Sequence, residues 1–197
     1  DPDGRAPLDY FDKETGKYLG KGGTDEIRFI DKKDWDKGNL KNYTTSGKDI
    51  SNKAAEKVVM HYAQFTDKKV SEPFKVSINS NFKQVTSFNS ETGEITYHFH
   101  KPAFGDFIKN RYDMINMWEH EGFQHGNDHI KLWNTEKRKY SYAQDGNNFE
   151  VNAVSHQIQS SSWSKTSIEF KKYLSFQYGG LLPPSVYNRY FKDILKK

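Results

Sequence analysis

Cysteine is absent from the 197 residues, which excludes disulfides, zinc–thiolate sites and thiol nucleophiles together. Long apolar runs are absent as well. No stretch approaches the ~20 residues that a membrane-spanning helix needs, so no membrane span is expected. The opening Asp1-Pro2-Asp3-Gly4 carries neither an initiator Met nor the apolar segment of a signal peptide, and the chain reads as a piece cut from something longer. Neither sign of charge dominates: 30 Lys and Arg against 26 Asp and Glu leave a net charge of +4. These charges are interspersed, whereas nucleic-acid binding calls for a clustered basic patch, so nucleic acid is the less favoured partner. Also missing are a phosphate-binding glycine loop, a G-x-S-x-G elbow, a dinucleotide fingerprint and an Asp-x-Asp calcium loop.

Aromatics are plentiful. With 4 Trp, 12 Tyr and 14 Phe against few aliphatics, the core is expected to be aromatic-rich. The low mean hydropathy of −0.96 reflects polar segments such as Asp12–Thr15 and Lys32–Gly38, which read as surface loops. The length suits one domain with a substantial core.

Along the chain, Asp9-Tyr10-Phe11 and Lys17-Tyr18-Leu19 flank a turn at Asp12–Gly16 and predict a hairpin. Glu26–Ile30 alternates as a third strand, and Lys32–Lys48 reads as loop. Ser51 or Asn52 caps a helix to about Phe65, with Ala55, Val58, Val59, Tyr62 and Ala63 on one face. After Pro73, Phe74–Ile78 alternates as a strand. Ser87-Phe88, a turn at Asn89–Gly93, and Ile95–Phe99 predict a second hairpin, with Ile95, Tyr97 and Phe99 facing one way and Thr96, His98 and His100 the other. Asn110–Phe123 reads as a helix with Met114, Ile115, Trp118 and Gly122 in its apolar arc and Asp113, Asn116 and His120 opposite. Gly126-Asn127-Asp128 reads as its stop. Ile130–Tyr142 reads as hairpin-like and Asp145–Asn148 as a turn that starts a helix over Glu150–Gln159, with Val151, Val154 and Ile158 on one side. Thr166-Ser167-Ile168-Glu169 matches a capping box opening a helix through Tyr178, closed by Gly179-Gly180. Pro183-Pro184 starts a last helix, Ser185–Leu195. Strands first and helices later make the fold class α+β, with small hairpins in the N-terminal half and site-bearing helices in the C-terminal half.

The chemistry concentrates in Glu119-His120-Glu121-Gly122-Phe123-Gln124-His125-Gly126-Asn127-Asp128-His129, which holds three of the seven histidines and three carboxylates. In the zinc-hydrolase pattern H-E-x-x-H, histidines at i and i+4 share a helix face and the glutamate acts on water. Here the pattern is H-E-x-x-x-H. Five residues of regular helix leave His120 and His125 about 140° apart, so a regular helix cannot bring both to one metal. A π-bulge, or a helix end at Gly122, would re-aim His125. Alternatively His125 pairs with His129 four residues on, or all three histidines form a His-rich turn. Glu150 is the candidate third ligand, delivered by a later helix, although a first-turn glutamate is also favoured by the helix dipole alone. His98 and His100 share a strand face, where a solvated position explains them equally well.

Two pieces resemble a known family. Asp1-Pro2-Asp3-Gly4 resembles the D-P-x-G sequence that closes the core of Rhs/YD-repeat polymorphic toxins. Asp9-Tyr10-Phe11-Asp12, Gly16-Lys17-Tyr18-Leu19-Gly20 and Asp25-Glu26-Ile27-Arg28 are similar to the lead-in of such toxin domains from Bacteroidetes-type bacteria. Arg111–Asn116 with His120-Glu121, and Glu150–Gln157 with Ser162–Thr166, resemble the two site helices of members that carry an H-E-x-x-H-like metallopeptidase motif. The resemblance implies that residues 1–7 end the Rhs core, that 8–197 form one toxin domain, and that Glu150 is the third zinc ligand beside His120 and His125. His129 stands as an alternative ligand and His156 as a supporting partner. Glu121 would then take a proton from the attacking water. It further implies a secreted effector delivered into a target cell, a protein or peptide substrate there, and a cognate immunity protein in the producer. Two other readings stand beside it: a metal-dependent nuclease using Asn127 and Asp128, and a non-enzymatic binding domain with structural histidines.

Overall fold

A computed structural model describes residues 8–22, 25–69, 74–79 and 84–194. Residues 1–7, Pro73 and Leu195, which figured in the boundary, strand and last-helix readings, lie outside the described residues.

The first hairpin forms as expected: β1 (Leu8–Asp12) and β2 (Tyr18–Gly22) pair antiparallel. Asp12 organises the turn by accepting hydrogen bonds from the Thr15 amide (2.7 Å) and hydroxyl (2.6 Å). β3 (Ile27–Ile30) lies parallel to β1. The segment expected as loop instead holds a short helix, α1 (Lys32–Asp36), and a two-residue strand, β4 (Tyr43–Thr44), which completes a sheet of order β2-β1-β3-β4. Polar composition hid them because neither needs a buried face.

Helix α2 (Asn52–Tyr62) is capped by Ser51, whose side chain accepts from the Ala54 amide. It buries Ala55, Val58, Val59 and Tyr62 as the periodicity predicted. A second sheet of order β5-β7-β6 follows, from β5 (Phe74–Asn79), β6 (Val85–Phe88) and β7 (Ile95–His100), with β6 on an edge. β6 and β7 form the predicted hairpin, and Ile95, Tyr97 and Phe99 face the core. A distorted turn, α3 (Ala103–Asp106), leads on to the helical half.

Helix α4 (Arg111–Trp118) opens with a reciprocal cap between Asn110 and Asp113. The chain then passes through a π-helical stretch, Glu119–His125, directly into α5 (Gly126–Glu136). Two expectations are corrected here. Gly126-Asn127-Asp128 does not stop the helix, and Ile130–Tyr142 is not a hairpin. Local propensity costs only ~1 kcal/mol for a glycine, and burial of His129 and Leu132 along α5 overrides it. The expected two-sided pattern of α4 is corrected too: every residue from Asp113 to Trp118 is buried, because the helix runs through the core rather than over it.

Helix α6 (Tyr142–Gln159) starts earlier than read, so Asp145–Asn148 lies within it. Asp145 stays satisfied there by a two-pronged pairing with Arg138, both contacts at 2.7 Å, and by the Ser141 amide. The cap of α7 (Ile168–Tyr178) is Ser167 rather than Thr166. α8 (Pro184–Tyr190) begins at the expected prolines. The fold is α+β, with sheets in the N-terminal half and helices in the C-terminal half.

One aromatic-rich core joins both sheets to the helices through Phe11, Phe29, Tyr62, Tyr97, Phe99, Trp118 and Phe170. Trp118 sits at its centre, its indole N–H donating to the Val59 carbonyl at 2.6 Å. Among the described residues no helix is long and apolar enough to cross a membrane.

Candidate metal centre

The π-helical stretch resolves the spacing problem. Its i→i+5 pattern places residues five apart one turn apart, so His120 and His125 come onto one face with ring centres 4.7 Å apart. Gly122 allows this turn to press against the core: a Cβ there would lie 2.0 Å from the Trp118 ring. Helix α6 crosses the stretch and delivers Glu150. Its Oε2 lies 3.3 Å from His120 Nε2 and 3.6 Å from His125 Nε2. One donor atom from each of the three residues falls within 4.8 Å of the others.

This arrangement could hold a metal ion. Tetrahedral bonds of about 2.1 Å give ligand-to-ligand edges of about 3.4 Å, close to the two glutamate–histidine separations. The polar accounting agrees. His120 Nε2 and Glu150 Oε2 are both buried and both lack a hydrogen-bond partner, although buried polar atoms are nearly always paired. Burial pushes the Glu150 carboxyl up, but His120 and His125 beside it, when their imidazoles are protonated, hold it well below the ordinary carboxylate range. Burial likewise depresses His125, and Glu150 together with the Glu121 charge more than reverses that.

Glu121 follows His120 directly and is buried. Its Oε2 accepts from Thr86 Oγ1 of β6 at 2.8 Å. Glu121, His125 and Glu150 line one cavity of about 120 Å³ together with Tyr140, Phe149 and the β6 residues Val85 and Thr86. Gln84 lies on the same wall; its Oε1 accepts from the Tyr97 hydroxyl and the His100 amide, and its buried Nε2 has no partner.

The remaining candidates lie outside the ligand group. His129 lines the cavity, but its Nε2 is 3.3 Å from the Thr86 carbonyl, and burial, then the nearby His125, lower it to about 4. His156 pairs with buried Glu119 at 2.6 Å. His98 contacts Ser87 across its hairpin at 2.8 Å, and Asp128 accepts from Gln124 at 3.0 Å. A larger groove of about 500 Å³, beside Met60, Lys69 and Phe74, holds none of the ligand residues.

Sequence reasoning missed Thr86, Gln84 and Gln157, whose Oε1 meets His120 Nδ1 at 3.1 Å. For Gln157 a signal existed: it lies seven residues, about two helical turns, after Glu150 and so on the same face. Thr86 and Gln84 come from a distant strand region, and nothing local marks them. Comparison of the chain with protein-family models, with curated proteins and with solved structures gave no match.

Proposed function

We propose that this chain is a zinc-dependent hydrolase acting on peptide bonds, and that it serves as the toxin domain of an Rhs-type effector delivered into target cells, with an immunity protein protecting the producer. The observation that carries the hydrolase reading is the convergence of His120, His125 and Glu150, with His125 and Glu150 lining one cavity together with Glu121. The effector context rests on the sequence resemblance.

A zinc ion in such a site acts as a Lewis acid and lowers the pKa of water to about 7. The chain's own residues divide the remaining work. Glu121, aimed by Thr86, accepts the proton of the attacking water. Gln84 offers its unspent amide N–H to the carbonyl oxygen of a bound peptide. Phe149 and Tyr140 limit water in the cavity. Two imidazoles in the donor set favour zinc over magnesium, which prefers all-oxygen sites, and this speaks against the nuclease reading.

The test is Glu121→Gln, assayed on a mixture of unstructured peptides with zinc content measured in parallel. Hydrolysis should fall by roughly 10²–10⁴-fold while zinc stays bound. Loss of zinc would make Glu121 a ligand, and unchanged hydrolysis would remove it as the base.

A further inference from the structure

We propose that Gln157 is a positioning residue that fixes the tautomer of His120, so that the ring presents an unprotonated Nε2 to the metal. This rests on the metal-site reading above and adds to it the device that orients the ligand.

Gln157, Asn116 and His120 form a closed chain of buried contacts. Gln157 and Asn116 are fully buried and His120 nearly so. Gln157 Nε2 donates to the Asn116 carbonyl at 3.3 Å, which commits the amide nitrogen. Oε1 is therefore the end presented to the ring, 3.1 Å from Nδ1. A carbonyl oxygen only accepts, so Nδ1 must carry the proton. Asn116 holds the geometry from the other side, its Nδ2 donating to the Gln157 carbonyl (3.0 Å) and to the hydroxyls of Ser160 (2.8 Å) and Ser162 (2.9 Å). That carbonyl, too, can only accept, which fixes the Asn116 amide as well.

With its proton on Nδ1, a neutral His120 has a lone pair at Nε2, facing Glu150 Oε2 across 3.3 Å. Two acceptors face each other with no hydrogen between them, and a cation satisfies both. Metal-bound histidines usually give their second N–H to a carboxylate, a carbonyl or water, and losing such a partner typically costs about 10–100-fold in metal affinity. A neutral amide does this without adding negative charge to the site.

The competing account is that Gln157 only joins α6 to α4. Two variants separate the accounts, each read by zinc affinity, by unfolding free energy and by ¹⁵N imidazole spectra of the metal-free protein under mildly alkaline conditions. Gln157→Met removes the acceptor at similar volume. It should weaken zinc binding about 10–100-fold and replace the Nδ1–H signature of His120 with a tautomer mixture. Gln157→Glu keeps an acceptor for Nδ1 but sets a carboxylate oxygen against the Asn116 carbonyl. It should lose stability yet retain both the Nδ1–H signature and zinc affinity. If both variants lose stability while the tautomer and zinc affinity stay at wild-type values, Gln157 is a structural contact and the proposal is overturned. An Nε2–H tautomer in the wild type would overturn it directly. The spectra need no metal, so a wild type that shows Nδ1–H but binds no zinc would leave the tautomer assignment standing and sink the metal-site reading instead.

Discussion

Asp113 shows what one buried side chain does for the placement of the site. It accepts from the amides of Lys109, Asn110 and Ser167 and from the Ser167 hydroxyl, at 2.7–3.0 Å, and so ties the start of α4 to the start of α7. Burial pushes its carboxyl up to about 6, against the pull of those four donors. Since the folded-state pKa lies above the unfolded value of 3.8, the native protein binds more protons between those two pH values. The contribution of Asp113 is therefore most favourable below about pH 4 and weakens as pH rises towards 6, by roughly 3 kcal/mol for a shift of about two units. Unfolding free energies of the metal-free protein should show this slope in the wild type and lack it in Asp113→Asn. The variant should also be less stable by about 1–3 kcal/mol, because its amide nitrogen faces donors. Equal slopes in the two proteins would remove Asp113 as their source.

At the scale of elements, the decisive feature is a rod that runs unbroken from α4 through the π-helical stretch into α5. The extra residue in H-E-x-x-x-H and the π-helix are two descriptions of one event, since a wider turn absorbs one more residue and returns both histidines to one face. Deleting Gln124 restores H-E-x-x-H, and i,i+4 spacing on an ordinary α-helix meets the same requirement. The deletion variant should fold and bind zinc. Inserting an alanine after Gln124 turns His125 by about a further 100°, and zinc should be lost. The reverse pattern, with the deletion losing zinc and the insertion keeping it, would contradict this account of the stretch.

This element also shows where sequence reasoning was strong and where it stopped. The spacing of the ligands allows either a π-bulge or a helix end at Gly122, and local propensity does not choose between them. Glycine and asparagine at 126 and 127 read as a stop because propensity sees neighbours in sequence and not the packing of α5 against β6. The true end of α5 carries no glycine. Lys137 adopts the left-handed conformation there at φ 53°, a position that glycine or asparagine usually marks.

For the whole molecule, regular periodicities were legible. The two hairpins, the apolar face of α2 and the α+β division all follow from alternation or 3.6-residue spacing. Burial on all sides was not, as the all-round burial of α4 shows. In the site, Glu121, His120, His125 and Glu150 were legible because imidazole and carboxylate carry recognisable chemistry. The amides Gln84 and Gln157 and the hydroxyl of Thr86 are common everywhere, and only their three-dimensional neighbours single them out. The fold brings a core rod, a crossing helix and a sheet edge to one cavity, and the central claim is that this meeting point holds a metal. The direct test is the metal content of the purified, zinc-replete chain by elemental analysis. The account predicts close to one zinc per chain, lost in His120→Ala, His125→Ala and Glu150→Ala and kept in His129→Ala. A folded wild type without zinc, or full zinc retention in His120→Ala, would contradict it.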